Sequence, residues 1–149
     1  MTSAQERKIR QTGCDARFDN LTRQLYATDA SIYQIEPVGV AFPKSAEQAS
    51  LVIRAAADAG LSVTPRGAGT GLSGGAVAVK RGVVVATARM RRILEVDPVD
   101  RIAVVQPGVP NIQLSEAAAE FGLFYAPDPS SQRACTIGGN VAENAGGPH

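Results

Sequence analysis

Pro65-Arg66-Gly67-Ala68-Gly69-Thr70-Gly71-Leu72-Ser73-Gly74-Gly75 places five glycines in eleven positions. Such a run stabilises neither a helix nor a strand interior, because glycine loses more backbone freedom on folding than any other residue. It gives the chain access to positive φ and lets the backbone approach a ligand closely. Successive N–H groups can then converge into a concave nest that binds an anion, typically a phosphate. A flexible spacer would sit among polar residues. This run lies instead between Leu61-Ser62-Val63-Thr64 and Val83-Val84-Val85-Ala86, both strand-like. A loop held between two strands is more often a site than a spacer, so the stretch is read as a loop that holds the pyrophosphate of a dinucleotide.

Upstream, Val38-Gly39-Val40-Ala41-Phe42 reads as a short buried strand ended by Pro43. Ser45 with Gln48 fits a capping box at a helix start. Ala49, Val52, Ile53, Ala56 and Ala57 recur at helical spacing, and Gly60 stands where a left-handed residue would end that helix. Leu61 to Thr64 follows as a strand. Strand, helix and strand predict a βαβ unit with a right-handed crossover, and the glycine loop begins at the carboxyl end of its second strand, where ligands collect in open α/β sheets.

Downstream, Gly82 to Thr87 is a third strand. Ile93 to Val96 and Arg101 to Gln106 flank Asp97-Pro98-Val99-Asp100 and predict an antiparallel hairpin. Asn111 is placed as the cap of a helix running to Phe121, with Leu114, Ala117, Ala118 and Phe121 inward and Gly122 ending it. The fold class this predicts is α+β: a small βαβ subdomain, then the start of a second mixed α/β subdomain. Residues 1–35 are read as an N-terminal arm, ordered only where it packs on something else. It holds one short helical stretch, Asn20 to Tyr26, and a loop over Thr28 to Tyr33. Residues 36–149 form the binding domain.

The 149 residues suit one domain, and an apolar share of 44% suffices for a core. Fifteen basic and 14 acidic residues are scattered, for a net charge of +1. Without a basic stripe, nucleic acid is not an expected partner. The N-terminus is polar and does not read as a signal peptide, and no apolar run reaches membrane-spanning length. Cys14 and Cys135 form no spaced motif, and His149 is the one histidine, so no metal centre is expected. Reduced thiols point to the cytoplasm. The chain stops on Gly146-Gly147-Pro148-His149, inside a glycine-rich stretch, which suggests a piece of a longer protein.

Three phosphate-loop chemistries compete. A Walker A loop needs Gly-Lys-Ser/Thr after its glycines; here Lys80 is preceded by Val79 and followed by Arg81. A Gly-x-Gly-x-x-Gly fingerprint occurs at Gly69, Gly71 and Gly74, but it must open a crossover helix. Seven residues separate Gly75 from Val83, short of the roughly ten to twelve a crossover needs. What fits is a loop whose backbone amides bind pyrophosphate with no helix behind it, with Arg66, Thr70 and Ser73 available for further contacts.

That loop, followed by Thr136-Ile137-Gly138-Gly139-Asn140-Val141-Ala142-Glu143-Asn144-Ala145-Gly146-Gly147, resembles the FAD-linked oxidases of the vanillyl-alcohol oxidase superfamily, with their PCMH-type FAD-binding domain. Within it, the resemblance is to the flavin subunit of glycolate oxidase and to the D-lactate and D-2-hydroxyglutarate dehydrogenases, and covers roughly residues 20–149. The arm Leu25-Tyr26-Ala27-Thr28-Asp29-Ala30-Ser31-Ile32-Tyr33 looks like the start of long members fused to iron–sulfur modules.

The resemblance implies FAD as cofactor. Arg66, Gly67, Ala68, Gly69, Thr70, Gly71 and Leu72 would wrap its pyrophosphate, and Pro127, Asp128 and Ser131 would lie along it. Thr136, Gly138, Gly139 and Asn140 would approach the flavin and ribityl chain. Asn144 and Ala145 would stand near either the adenine-side phosphates or the ring. Some relatives link flavin covalently through a histidine in the first loop; Ala68 and Thr70 stand there, so non-covalent FAD is expected. Cys135 stands one residue off a flavin-linking cysteine of related oxidases, and a buried structural thiol is expected instead. For His149 the alternatives are a place facing the flavin in the full protein and a disordered chain end, and the second is expected.

The implied parent oxidises a 2-hydroxy acid such as glycolate, D-lactate or D-2-hydroxyglutarate. Its electrons would pass to a quinone, a carrier protein or an iron–sulfur domain or subunit, and it could lie peripheral to a membrane through that partner. No catalytic residue is named: base and substrate clamp are expected in a later cap, and these residues alone are expected to lack turnover. The competing hypotheses are a nucleotide- or FAD-binding module without redox function and an inert truncated product.

Overall fold

The computed structural model describes residues 1–79 and 82–148. His149, and the Lys80 and Arg81 used to exclude a Walker A loop, lie outside the described residues. The chain divides into two compact units, Met1–Arg89 and Met90–His149.

The first unit contains α1 (Ser3–Arg10), β1 (Asp15–Arg17), α2 (Asn20–Leu25), β2 (Gly39–Phe42), α3 (Ala46–Asp58), β3 (Val63–Arg66) and β4 (Val83–Ala86). Its strands form one sheet in the order β1-β2-β4-β3. β2 and β3 both run parallel to β4, and β1 lies antiparallel along the β2 edge. The helical crossover from β2 to β3 therefore leaves a gap that β4 fills. β4 reads Val-Val-Val-Ala and is buried throughout, as a central strand covered on both faces should be. Pro65, which has no N–H to donate, sits in β3 at the sheet edge, where a missing ladder bond is tolerated.

Alternation along the strands splits the core in two. Ala41, Val83 and Val85 face Ile9, Val52, Ala56 and Leu61 under α1 and α3. Val40, Phe42, Val84 and Ala86 face the other way, with Ala78 and Tyr26. Ser45 caps α3 through the Gln48 amide, while the Gln48 side chain accepts from Lys44 N rather than from the cap residue. Gly60 ends α3 at φ +66, with Leu61 N bonded to Ala56 O.

The buried stripe of α3 is Val52 and Ala56, flanked by Ala55 and Ala59; Ile53 is 47% exposed and Ala57 is exposed too. Leu51 to Ala57 is apolar nearly all round, so two stripes were available, and packing against β4 selected the one through Val52.

Residues 1–35 hold more structure than their polarity suggested. Thr2 and Gln5 form a capping box on α1. Gln5 Nε2 and Lys8 Nζ donate to Ala59 O and Asp58 O at the end of α3. Ile9, fully buried, is the one buried residue of α1. Ile9→Ala is therefore expected to lower unfolding free energy by about 2–5 kcal/mol, read by denaturant titration. A loss below about 1 kcal/mol would show that α1 is not part of the folded unit.

The second unit contains β5 (Ile93–Asp97), β6 (Ile102–Val105), α4 (Asn111–Ala119) and α5 (Ile137–Ala142). β5 and β6 form the antiparallel hairpin expected, with a register shift between Ile93 and Glu95. Asp97 Oδ1 accepts from the amides of Val99 and Asp100 and shapes its turn. Val109, Leu114 and Ile137 make the core of this unit. Phe121 is 48% exposed, outside the inward face assigned to it. Asn111 is not a cap: Pro110 holds that position, and the Asn111 amide group is turned inward.

Candidate functional site

Residues 67–82 join two neighbouring parallel strands, and the described part of that connection contains no helix. Parallel neighbours are usually linked through a helix; here the glycine loop is the crossover. Its far limb is anchored by Val77 and Ala78, both buried. Its near limb is open: Ala68 is exposed and Leu72 is 78% exposed, while Gly67, Thr70 and Gly71 are half-buried. Among the described residues, no amide of Gly67 through Gly75 donates to a protein acceptor. Such a run of uncommitted donors is what an anion-binding nest requires.

Gly69 and Gly74 take φ of +74 and +79. A Cβ on Gly69 would stand 2.5 Å from Arg66 Nη2, and one on Gly74 would stand 2.6 Å from Tyr33 Cδ2. Both positions combine a backbone that side chains rarely adopt with a neighbour that leaves no space.

Arg66 ends β3 on the sheet face turned away from α1 and α3. Its guanidinium lies 5.1 Å from the Tyr26 ring centroid, and Nη1 donates to Ala76 O at 3.4 Å. The residue is only 9% exposed. Among the described residues no carboxylate lies within ion-pair distance of it. Burial disfavours its charged form and pulls its pKa down, while Tyr26 and Asp29 act in the opposite sense. A buried cation without a close ion pair is costly, and arginine stays protonated in proteins. Asp29 offsets part of its charge from beyond ion-pair distance, and an anion on the adjoining nest would add to it.

In the second unit, α5 is built against the turn at Pro107. Ile137 N donates to Val109 O and Gly138 N to Pro107 O, and a Cβ on Gly138 would stand 2.6 Å from Pro107 Cβ. Pro107 thus occupies the space that a side chain at Gly138 would need. Gly139 meets only Thr136 Oγ1, at an ordinary 3.6 Å. Thr136 is the N-terminal cap residue of α5 but makes no side-chain cap bond. Thr136 Oγ1, Asn140 Nδ2 and Asn111 Oδ1 are buried without a hydrogen-bond partner among the described residues. Natural structures rarely leave such groups orphaned, and the first two belong to residues expected to approach the flavin.

Pro127 is tied to α4, because its carbonyl accepts from Asn111 Nδ2 at 2.8 Å. Ser131 O accepts from the amides of Ala134 and Cys135. Asp128 packs against the backbone of Gly147. Asn144 takes φ +50, and Ala145 N donates to Asn140 O: together these two residues terminate α5. Cys135 is buried and free. Asn111, expected as a cap, instead sits buried in the first turn of α4, and an asparagine at a helix start carries no local signal that separates the two roles.

Thr136→Val tests the orphan hydroxyl. Removing a buried hydroxyl that has no partner is expected to raise unfolding free energy by about 1 kcal/mol, while weakening flavin binding. A loss of stability in urea titration would contradict this.

Residues 37–149 match the family described as FAD binding domain. The chain is 52% identical over 119 residues to glycolate oxidase subunit GlcD of Escherichia coli (strain K12), covering 80% of this chain and 24% of that protein. It is 44% identical over 111 residues to D-2-hydroxyglutarate dehydrogenase of Stutzerimonas stutzeri (strain A1501), covering 74% of this chain and 24% of that protein. The chain thus spans about a quarter of the length of these curated relatives. Among solved structures, alkyldihydroxyacetonephosphate synthase superposes with a TM-score of 0.85 over 99% of this chain and 30% of that one, at 22% identity. That likeness concerns the fold alone, which is the PCMH-type FAD-binding fold. Among the described residues, no helix is long and apolar enough to cross a membrane.

Proposed function

Since this chain belongs to the FAD binding domain family, with FAD as its cofactor, we propose that it is the FAD-holding portion of a flavin-dependent oxidoreductase acting on a 2-hydroxy acid. The observation that carries the assignment of the diphosphate to residues 67–75 is the pairing of uncommitted amides with a buried Arg66 that has no carboxylate within ion-pair distance among the described residues. The amides would donate to the diphosphate oxygens, and Arg66 would balance their charge. Thr70 and Ser73 lie in the same loop and can add hydroxyl donors. In the second unit, the orphaned Thr136 Oγ1 and Asn140 Nδ2 support contacts to the polar edge of the flavin or its ribityl chain, with Gly139 beside them. Pro127, Asp128 and Ser131 would lie along the cofactor, and Asn144 with Ala145 near either its adenine-side phosphates or its ring. FAD is held non-covalently and supplies the hydride acceptor. The chain's own part is to bind and orient it.

The substrate class, glycolate, D-lactate or D-2-hydroxyglutarate, is proposed from the relatives' names. An iron–sulfur domain or subunit as electron acceptor rests on the resemblance of Leu25 to Tyr33. Two buried free cysteines fit a reducing compartment such as the cytoplasm, with any membrane contact made through a partner.

Fluorescence titration of the 149-residue chain with FAD tests the binding assignment. FAD is expected to bind and to be displaced by ADP, which shares its diphosphate, and not by riboflavin. Displacement by riboflavin but not by ADP would overturn the role given to the glycine loop. A dye-coupled assay with the three hydroxy acids addresses the second reading, a holder without turnover.

A further inference from the structure

The stretch Ala27–Ile35 is left unexplained by flavin binding alone. It doubles back on itself, with Thr28 bridged to Gln34 and Ile35 N bonded to Ala27 O at 2.8 Å. It then touches the glycine loop at three places. Ala30 N donates to Gly69 O at 3.0 Å. Asp29 Oδ2 accepts from Ala76 N at 3.3 Å, while Asp29 Oδ1 accepts from Ser31 N at 2.9 Å. The Tyr33 ring lies against Gly74. Each contact uses a loop carbonyl, a glycine face or the Ala76 amide, and none uses an amide from Gly67 to Gly75.

We propose that Ala27–Ile35 is a brace that sets the shape of the diphosphate loop before the cofactor arrives, and that Asp29 is its positioning residue. This rests on the diphosphate assignment above. A glycine-rich loop is the most expensive kind of chain to order, and a site ordered in advance binds more tightly because that cost is already met. Asp29 is the one side chain that bonds both limbs of the arrangement: the brace through Ser31 N and the loop through Ala76 N. Burial acts to raise its pKa, yet hydrogen bonds from Ser31 and the Ala76 amide, with the Arg66 charge, hold it below the usual carboxylate value. The ionised form is therefore the one that grips the loop. Tyr33 lies against the far glycine, Ile32 at the tip of the brace is 94% exposed, and Ala27 at its base is buried.

The test is Asp29→Asn in the full 149-residue chain, with Arg66→Met beside it. At a temperature where thermal melting shows the variant fully folded, Asp29→Asn is expected to weaken FAD and ADP alike by about tenfold. It should also speed amide exchange across residues 67–76 in the FAD-free chain, with exchange in β4 unchanged. A merely structural role would lower the melting temperature and leave both affinities and local exchange at wild-type values, and that result overturns the brace. If Arg66→Met weakens binding and Asp29→Asn does not, the loop assignment stands and the brace falls. If neither variant weakens binding, the loop assignment itself has failed.

Discussion

Arg66→Met is expected to weaken FAD binding by about 10- to 150-fold, the equivalent of roughly 1.5–3 kcal/mol for a hydrogen bond to a charged group, without loss of stability in the FAD-free chain. The two halves of this expectation have one cause. Arg66 is buried beside the glycine loop with no carboxylate in ion-pair reach among the described residues. Its protein partners are a 3.4 Å bond to Ala76 O and the face of Tyr26. Burying an unpaired charge costs folding free energy, and an apolar side chain of similar length fills the same space without that cost. The FAD-free variant is thus expected to unfold at the same urea concentration or a higher one. Loss of stability together with unchanged affinity would mean that Arg66 serves the fold and not the ligand.

Gly69→Ala is expected to do at least as much damage to binding, by a different route. A methyl group there meets Arg66 Nη2 at 2.5 Å, so the guanidinium must leave its place beside the nest. The left-handed backbone adds about 1–2 kcal/mol of its own. Affinity should fall by on the order of 100-fold or more, with stability down by about the backbone cost. Gly13→Ala separates the two contributions, since Gly13 has φ +72 with nothing within 4 Å of the added carbon. It should lose comparable stability and keep full affinity. Equal affinity losses in the two variants would show that the loop acts through overall stability and not through its shape.

Spacing made the glycine loop legible. Strand-like runs on both sides and too few residues after Gly75 for a helix implied a helixless connection, and the described residues between β3 and β4 contain no helix. The hairpin around Asp97 and the stop at Gly60 follow from equally local chemistry. What sequence patterns missed is tertiary in origin. α1 buries only Ile9, so its sequence shows no apolar stripe. β4 lies between β2 and β3, an order that no spacing rule dictates. The contacts of Asp29 and Tyr33 cross more than forty positions, from the brace to Gly74 and Ala76.

In the second motif the residues carry mixed duties. Gly138 lies against Pro107, and Asn144 takes φ +50 at the end of α5. Thr136 and Asn140 keep unpartnered atoms. A Gly-Gly-Asn string looks the same in either duty, because a glycine that admits a neighbouring turn and one that admits a ligand need the same missing Cβ.

The central claim is that the amides of Gly67 to Gly75 hold the FAD diphosphate. The most direct measurement is the backbone amide NMR spectrum of the 149-residue chain, titrated first with ADP and then with FAD. The account predicts that these amides shift downfield and exchange more slowly with either ligand, and that Arg66→Met needs about 10- to 150-fold more FAD for the same shifts. Saturation with FAD that leaves the Gly67–Gly75 amides unmoved would contradict it.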